Sequence, residues 1–265
     1  LVYDTLFEAA WQTLLAFADD RKHLGARPGM VAVLHTWGQT LSLHPHLHCI
    51  VPGGGLTEHG RWKGALGKGK YLFPVKAMSL VFRAKYVQLL REKMPAVEKE
   101  LRKALFRKQW VVYAKRPFAG PGHVVEYLGR YTHKIAITNH RLTAVDEHTV
   151  SFSYKDYRQG AKKLEMKLQG MEFIRRFALH ILPRGFVRIR HYGILSGTSK
   201  GFSIPLIREQ LPEEKRQKQQ VGQLEEYNPL RCPCCKKETM VTLQVMAKRG
   251  PPQGLRTQRR YLEFE

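Results

Sequence analysis

The stretch HPHLHCIV at residues 44–51 decides most of what the sequence says about the fold. Apolar and polar residues alternate along it, and the Pro-Gly-Gly-Gly at residues 52–55 ends it, which predicts a half-buried β-strand at residues 46–51. Residues two apart on a strand point to the same face, so His46 and His48 share one face while Leu47 faces the core. Two imidazoles held side by side by a sheet are a typical beginning of a metal site.

An isolated His-x-His is more often a pair of histidines on an edge strand than a metal site. Here, however, the pair lies among further polar residues within a short span, namely His35, Gln39 and His44. This enrichment favours metal binding.

The neighbouring segments alternate between helical and strand-like patterns. We expect a strand at residues 30–36 to pair with the histidine strand. Helical spacing predicts helices at residues 3–18, 76–108 (divided near Pro95), 123–131 and 171–181. Further strand-like pieces lie at residues 110–114, 135–138, 141–145, 149–154 and 163–168. Because there is no regular βαβ rhythm, the sequence predicts an α+β fold with a central, mainly antiparallel sheet flanked by helices.

The charge of the chain points to a polyanionic partner. Lys and Arg number 45 against 22 Asp and Glu, a net charge of +23 spread over the whole length. Nucleic acid fits better than a membrane, because no apolar run approaches the roughly 20 residues that span a bilayer. A basic architectural protein would carry the same charge. The four cysteines do not form a disulfide framework, which predicts a reducing, cytoplasmic compartment.

A pair of tyrosines lies on the predicted helix at residues 123–131. Tyr127 and Tyr131 are four residues apart, so both side chains stand on one face and could reach a single phosphate. Aromatic residues at this spacing are otherwise more often core residues.

Taken together, these motifs resemble the two-tyrosine rolling-circle insertion-sequence transposases, which are HUH endonucleases. The resemblance covers residues 30–192. It rests on the histidine triplet His46-Leu47-His48, HTWGQ at 35–39, GGGL at 53–56 and YLGRYTHK at 127–134. It implies a ferredoxin- or RRM-like nuclease fold. It also implies a divalent ion, Mg²⁺ or Mn²⁺, bound by His46, His48 and a third polar side chain. Gln39 is the first choice for this third ligand, with His35 and His44 as alternatives.

The resemblance further implies a chemistry for the tyrosines. Tyr127 and Tyr131 would be the nucleophiles. Apart from the resemblance, Lys134 is a candidate for stabilising phosphate charge, although a basic residue after a helix end also complements the helix dipole. The protein would be a transposase that nicks and rejoins single-stranded DNA at transposon ends in the bacterial cytoplasm, near the nucleoid, through a 5′-phosphotyrosine intermediate. Self-association is left open. Related transposases carry a zinc domain before the nuclease, so we expect this chain to begin inside a longer protein.

Two regions outside these motifs complete the interpretation. Basic residues near the aromatic ones, Arg130 and the strand residues Arg188 and Arg190 on one shared face, are candidate DNA contacts. We place the catalytic domain at residues 1–204 and a basic appendage at 205–265. The appendage holds a Cys-x-x-Cys knuckle, Cys232 and Cys235, which could share a structural Zn²⁺ with further ligands.

Two rival functions remain at this stage. One is a metal-dependent phosphodiesterase that uses a bound water, with the tyrosines merely packed. The other is a basic single-strand DNA-binding module without catalytic activity.

Overall fold

The computed structural model of the chain describes residues 1–66, 72–132, 136–211, 230–232, 234–235 and 237–241. Its helices are α1 (Val2–Asp19), α2 (Val75–Lys93), α3 (Lys99–Arg107), α4 (Pro121–Thr132), α5 (Gly170–Ala178) and α6 (Lys200–Gln210). Its strands are β1 (Gly29–Trp37), β2 (Leu43–Ile50), β3 (Gly54–Leu56), β4 (Trp62–Gly64), β5 (Leu142–Val145), β6 (Thr149–Asp156), β7 (Lys162–Gln169) and β8 (Ile189–Gly193). The chain divides into two compact units, Leu1–Pro212 and Glu213–Glu265, and all of these elements lie in the first.

The histidine strand belongs to a three-stranded antiparallel sheet with the order β2-β1-β8. Alternate residues of β1, including Met30 and Leu34, join a buried cluster with α1 and α2. The helix α1 contributes Phe7 and Leu14, whose spacing of seven residues keeps them on one helical face. One face of the sheet is therefore covered by these two helices, and the opposite face is left for the histidines.

A second antiparallel sheet, with the order β5-β6-β7, has its own small core. Phe152 of β6 is fully buried there, against Phe173 and Phe177 of α5. The hairpin between β1 and β2 inserts Leu41 into this same cluster. The tip of the histidine hairpin thus links the two sheets.

A third, smaller hydrophobic cluster packs the short hairpin of β3 and β4 against α6. The two-stranded hairpin of β3 and β4 packs through Leu56 against Ile207 of α6 and Ile194, which follows β8. Gly193 has a positive φ of 58° and lies tightly against a backbone carbonyl, a position that only glycine occupies without strain.

The structure confirms the predicted α+β fold with antiparallel sheets. The division of residues 76–108 into two helices is also confirmed, since α2 ends at Lys93 and α3 begins at Lys99. The prediction of a strand at residues 110–114 was wrong, because this segment has no regular secondary structure and belongs to none of the described sheets. Of residues 135–138, those described form no strand, and residue 135 lies outside the described ranges.

The short strands β3 and β4 and the helix α6 were not foreseen. Three-residue strands are too short to show alternation, and Pro205, which lies inside α6, suggested an end to regular structure. The expected domain boundary at residue 205 falls inside this helix. In the described part of the chain, every helix is too short or too polar to cross a membrane.

Candidate metal and nucleophile site

The hairpin of β1 and β2 gathers three imidazoles on one face of the sheet. In its antiparallel register His35 lies directly opposite His46, and His48 follows two residues later on the same face. One ring nitrogen of each residue lies within 4.8 Å of the others. Among the described residues, no other group of three or more His, Cys, Asp or Glu side chains meets this condition.

Hydrogen bonds to backbone carbonyls fix the tautomers of two of these histidines. Nδ1 of His46 lies 2.7 Å from the carbonyl oxygen of His44. Because a carbonyl only accepts, Nδ1 carries the proton and Nε2 presents its lone pair. Burial lowers the pKa of His46, which favours this neutral form. Likewise Nε2 of His35 donates to the carbonyl oxygen of Tyr131 at 2.8 Å, so its lone pair is on Nδ1.

The donor set fits a divalent transition metal. The Nε2 atoms of His46 and His48 are 3.1 Å apart. Two nitrogens at this separation can both bind one ion, since metal to imidazole distances are about 2.1 Å. Without an ion, a proton must lie between them to offset the repulsion of two lone pairs. Three neutral imidazoles form a softer set than the oxygen ligands that Mg²⁺ prefers, so the set favours an ion such as Mn²⁺.

The helix α4 places both tyrosines against these histidines. The hydroxyl oxygen of Tyr127 lies 3.0 Å from Nδ1 of His48. The ring of Tyr131 stacks on the His48 ring, with centroids 3.9 Å apart. The two tyrosine rings lie on the same face of α4, with centroids 4.4 Å apart. A phenol, a second phenol and the histidine cluster therefore lie within one small region of the surface.

The surroundings of Tyr127 oppose its ionisation. Burial, followed by the neighbouring Tyr131, raises the pKa of Tyr127 to about 12. At neutral pH the hydroxyl is therefore protonated, and it needs a nearby positive charge to become a nucleophile.

The carboxyl end of α4 is held by two side chains. The Tyr131 carbonyl accepts from His35 and also from the guanidinium of Arg188, at 3.1 Å, while the Thr132 carbonyl accepts from the same Arg188 nitrogen at 2.9 Å. This guanidinium lies 5.7 Å from the ring centroid of Trp37, which itself stacks on His35. The last carbonyls of a helix carry partial negative charge and have no partner within the helix, so a cation at this point stabilises its end.

The first choice for a third ligand has other partners. The side-chain oxygen of Gln39 accepts from the backbone N–H of Lys155 at 3.3 Å. The backbone carbonyl oxygen of Gln39 accepts from the guanidinium of Arg141 at 2.5 Å. The first bond joins the hairpin tip to β6 and the second joins it to the turn before β5, whereas the alternative ligand, His35, lies in the histidine cluster.

The remaining predicted site residues have the following places. Arg130 forms an ion pair with Glu126 on the exposed side of α4. Arg188 and Arg190 contact different helices: the guanidinium of Arg188 donates to the end of α4, and that of Arg190 pairs with α1. Arg190 pairs with Asp4 of α1 and lies 4.3 Å from the ring centroid of Phe7. Lys134 lies outside the described residues.

The terminal cysteines belong to the second compact unit. Cys232, Cys234 and Cys235 are free thiols. Backbone N–H groups of Cys235 and Cys234 lower the pKa of Cys232, which favours its thiolate. The described thiols do not form a group of three ligand atoms within 4.8 Å of one another, and the sequence offers only these three clustered cysteines, so binding of Zn²⁺ stays a prediction.

Sequence reasoning missed one aromatic neighbour of the nucleophile. Phe118 lies before α4, and its ring makes an edge contact with Tyr127 at a centroid distance of 5.3 Å. The sequence does contain a signal for this residue, because Lys115 and Arg116 lie close to Phe118 and basic residues near aromatic ones are typical of surfaces that bind single strands.

Comparisons with known proteins identify the family of the chain. The Y2_Tnp family, described as "Putative transposase", matches residues 29–201, which include the histidine hairpin and the tyrosine helix. The chain is 40% identical over 282 residues to "Putative transposase y4qJ" of Sinorhizobium fredii, covering 96% of this chain and 70% of that protein. It is 32% identical over 219 residues to the transposase for insertion sequence element IS801 of Pseudomonas savastanoi pv. phaseolicola, covering 78% of this chain and 52% of that protein. No solved structure matches the chain. With a family match over most of its length and relatives named as transposases, the chain belongs to the Y2_Tnp family of transposases.

Proposed function

We propose that this chain cuts and rejoins single-stranded DNA through a covalent bond between Tyr127 and a 5′ phosphate. The observation that carries the proposal is the 3.0 Å contact between the Tyr127 hydroxyl and Nδ1 of a histidine whose other nitrogen faces His46. Basic charge throughout the chain suits a DNA substrate.

The ion that we assign to the site is Mn²⁺ or Mg²⁺, held by His46, His48 and His35. When bound, it polarises the phosphate and favours the phenolate form of a neighbouring tyrosine. We choose His35 over Gln39 because its ring nitrogen lies in the cluster and because the Gln39 side-chain oxygen has a backbone partner.

The residues of the chain then have distinct roles. When Nε2 of His48 is a ligand, its single proton is on Nδ1, so His48 donates a hydrogen bond to the Tyr127 oxygen and orients it. The phenol proton leaves to solvent. The Tyr127 oxygen bonds to phosphorus while the bond from phosphorus to the 3′ oxygen breaks, and that oxygen takes up a proton to become a free 3′ hydroxyl. The phosphotyrosine bond keeps the energy of the phosphodiester, so the reverse attack by a 3′ hydroxyl rejoins DNA.

We assign the first attack to Tyr127 and the second to Tyr131. The Tyr127 hydroxyl points at His48, whereas Tyr131 lies with its ring face on the same imidazole. In this role the backbone of Tyr131, held by His35 and Arg188, also positions the end of α4.

The test is covalent trapping on labelled single strands with Mn²⁺. We expect wild type to form an adduct that survives denaturing electrophoresis, Tyr127→Phe to lose it, and Tyr131→Phe to retain the first adduct. Tyr157→Phe is the matched control, because Tyr157 is an exposed tyrosine on another part of the chain. Cleavage without an adduct would instead identify a hydrolase that uses water. An equal adduct in the Tyr127→Phe, Tyr131→Phe and double variants would reject the tyrosine assignment.

A second experiment tests the ligand set. Titration of Mn²⁺, followed by the loss of the free-ion EPR signal, should show binding at least about tenfold weaker for His35→Ala than for wild type. Gln39→Ala should bind nearly as wild type does. The reverse order would return Gln39 to the third position.

A further inference from the structure

The segment between α3 and α4 exposes an unusual set of side chains. Residues 109–118 contain no helix or strand, and three of their apolar side chains face solvent: Val111 is 83% exposed, Tyr113 78% and Phe118 39%. Large exposed aromatic rings in a folded chain usually mark a surface that binds something.

Both ends of this segment are anchored. At its start the Trp110 ring packs against Phe82 and Tyr86, with centroids 5.2 and 5.0 Å away, and its Nε1 donates to the Leu105 carbonyl at 3.0 Å. At its end Phe118 contacts the ring of Tyr127. The exposed rings therefore belong to a segment with fixed ends, which leads directly to the proposed nucleophile.

The charge of the segment selects the kind of partner. Lys115 and Arg116 are both exposed between the two exposed rings, and residues 108–118 contain no acidic residue. Protein interfaces are depleted of lysine at their centres, whereas surfaces for single strands combine basic side chains with rings on which bases stack. Duplex DNA keeps its bases paired and stacked, so it offers no base faces to exposed rings.

We propose that Tyr113, Lys115, Arg116 and Phe118 form a platform for the single strand that enters the Tyr127 site. This inference rests on the proposed function and adds the path of the substrate. Phe118 stacks on the base next to the attacked phosphate, and Tyr113 stacks on a base farther along the strand. The five steps along the chain from Tyr113 to Phe118 span at most about 17 Å when extended, so the platform holds a few nucleotides.

The first experiment measures binding without chemistry. A fluorescein-labelled oligothymidylate of about 20 nucleotides is titrated with the Tyr127→Phe protein by fluorescence anisotropy, without added metal. Adding Tyr113→Ala or Phe118→Ala to this Tyr127→Phe protein should raise the Kd by about fivefold or more in each case, because a stacked base contributes at least this much to binding. Phe202→Ala, which removes a phenylalanine of α6 that is 74% exposed, should change the Kd less than twofold.

Conservative variants separate stacking from packing. Phe118→Tyr keeps a ring and should retain binding of the oligonucleotide. Phe118→Leu keeps an apolar contact with Tyr127 but has no ring, so its binding of the oligonucleotide should weaken as in Phe118→Ala. A strand carrying 5-iododeoxyuridine should form photocrosslinks that map to Tyr113 or Phe118. The same-length duplex should compete poorly.

The outcomes distinguish the two proposals. The platform is overturned if the alanine variants bind as Phe202→Ala does, if Phe118→Leu binds as Phe118→Tyr does, or if no crosslink maps to residues 113–118. None of these results affects the adduct assay with wild type, which tests the tyrosine chemistry on its own. Conversely, loss of the adduct with the platform intact would reject the chemistry alone.

Discussion

Replacing Arg188 by alanine should loosen the carboxyl end of the tyrosine helix. The guanidinium donates to the carbonyls of Tyr131 and Thr132 at 3.1 and 2.9 Å, and a hydrogen bond from a charged donor contributes roughly 1.5–3 kcal/mol. Arg188 is partly exposed and His35 also bonds to the Tyr131 carbonyl, so we expect a net loss of about 1–2 kcal/mol for opening of the last turn. This loss corresponds to an opening equilibrium raised roughly five- to thirtyfold.

Hydrogen exchange read by mass spectrometry is the direct assay. Amides in the last turn of α4 should exchange faster by this factor in Arg188→Ala, and the yield of rejoined strand should fall because Tyr131, to which we assign the second attack, lies in this turn. Arg184→Ala removes one positive charge from an exposed neighbouring position and is the matched control. If exchange in α4 is unchanged while DNA binding falls, Arg188 contacts DNA as first predicted, and its role as a helix anchor is refuted.

Three further predictions concern stability in urea unfolding. Gly193→Ala should destabilise the protein far more than Gly160→Ala. Both glycines have positive φ, but of the two only Gly193 would place a Cβ against a backbone carbonyl. Equal losses of unfolding free energy in the two variants would contradict this. Leu41→Ala should cost about 2–4 kcal/mol, since Leu41 is fully buried; a loss below 1 kcal/mol would show that the hairpin tip contributes little. Asp4→Asn should cost under about 1 kcal/mol at pH 7. Because the hydrogen bond from Arg190 lowers the pKa of Asp4, this contribution is fully present above the ordinary pKa of aspartate and is lost as the pH falls through the lowered pKa of the folded protein. The difference in unfolding free energy between Asp4→Asn and wild type should therefore shrink as the pH falls below the ordinary pKa, and a difference that does not change with pH would contradict the pairing.

The order of the elements could be predicted because each long segment has a strong local pattern. The helix α1 shows apolar residues at helical spacing, and β2 shows alternation ended by glycines. The segment after α3 misled this reasoning, because Trp110 and Val111 have high strand propensity. Of these two residues only Trp110 is partly buried in the core, whereas Val111 is exposed. A segment with high strand propensity does not form a sheet when no neighbouring strand pairs with it.

The site itself could be predicted only in part, because it depends on register as well as pattern. Alternation alone places His46 and His48 on one face. The partner opposite them depends on how many residues the hairpin turn contains, since a shift by one residue would turn His35 to the other face. The structure sets that register through the tip, where Leu41 is buried in the second sheet's core and Gln39 bonds to Lys155. Gln39 therefore fixes the hairpin, and His35, which is farther from His46 in sequence, completes the cluster. A one-residue deletion in this tip should consequently reduce Mn²⁺ binding as strongly as His35→Ala does, even though every histidine is retained. Undiminished binding by the deletion variant would show that register does not set the ligand group.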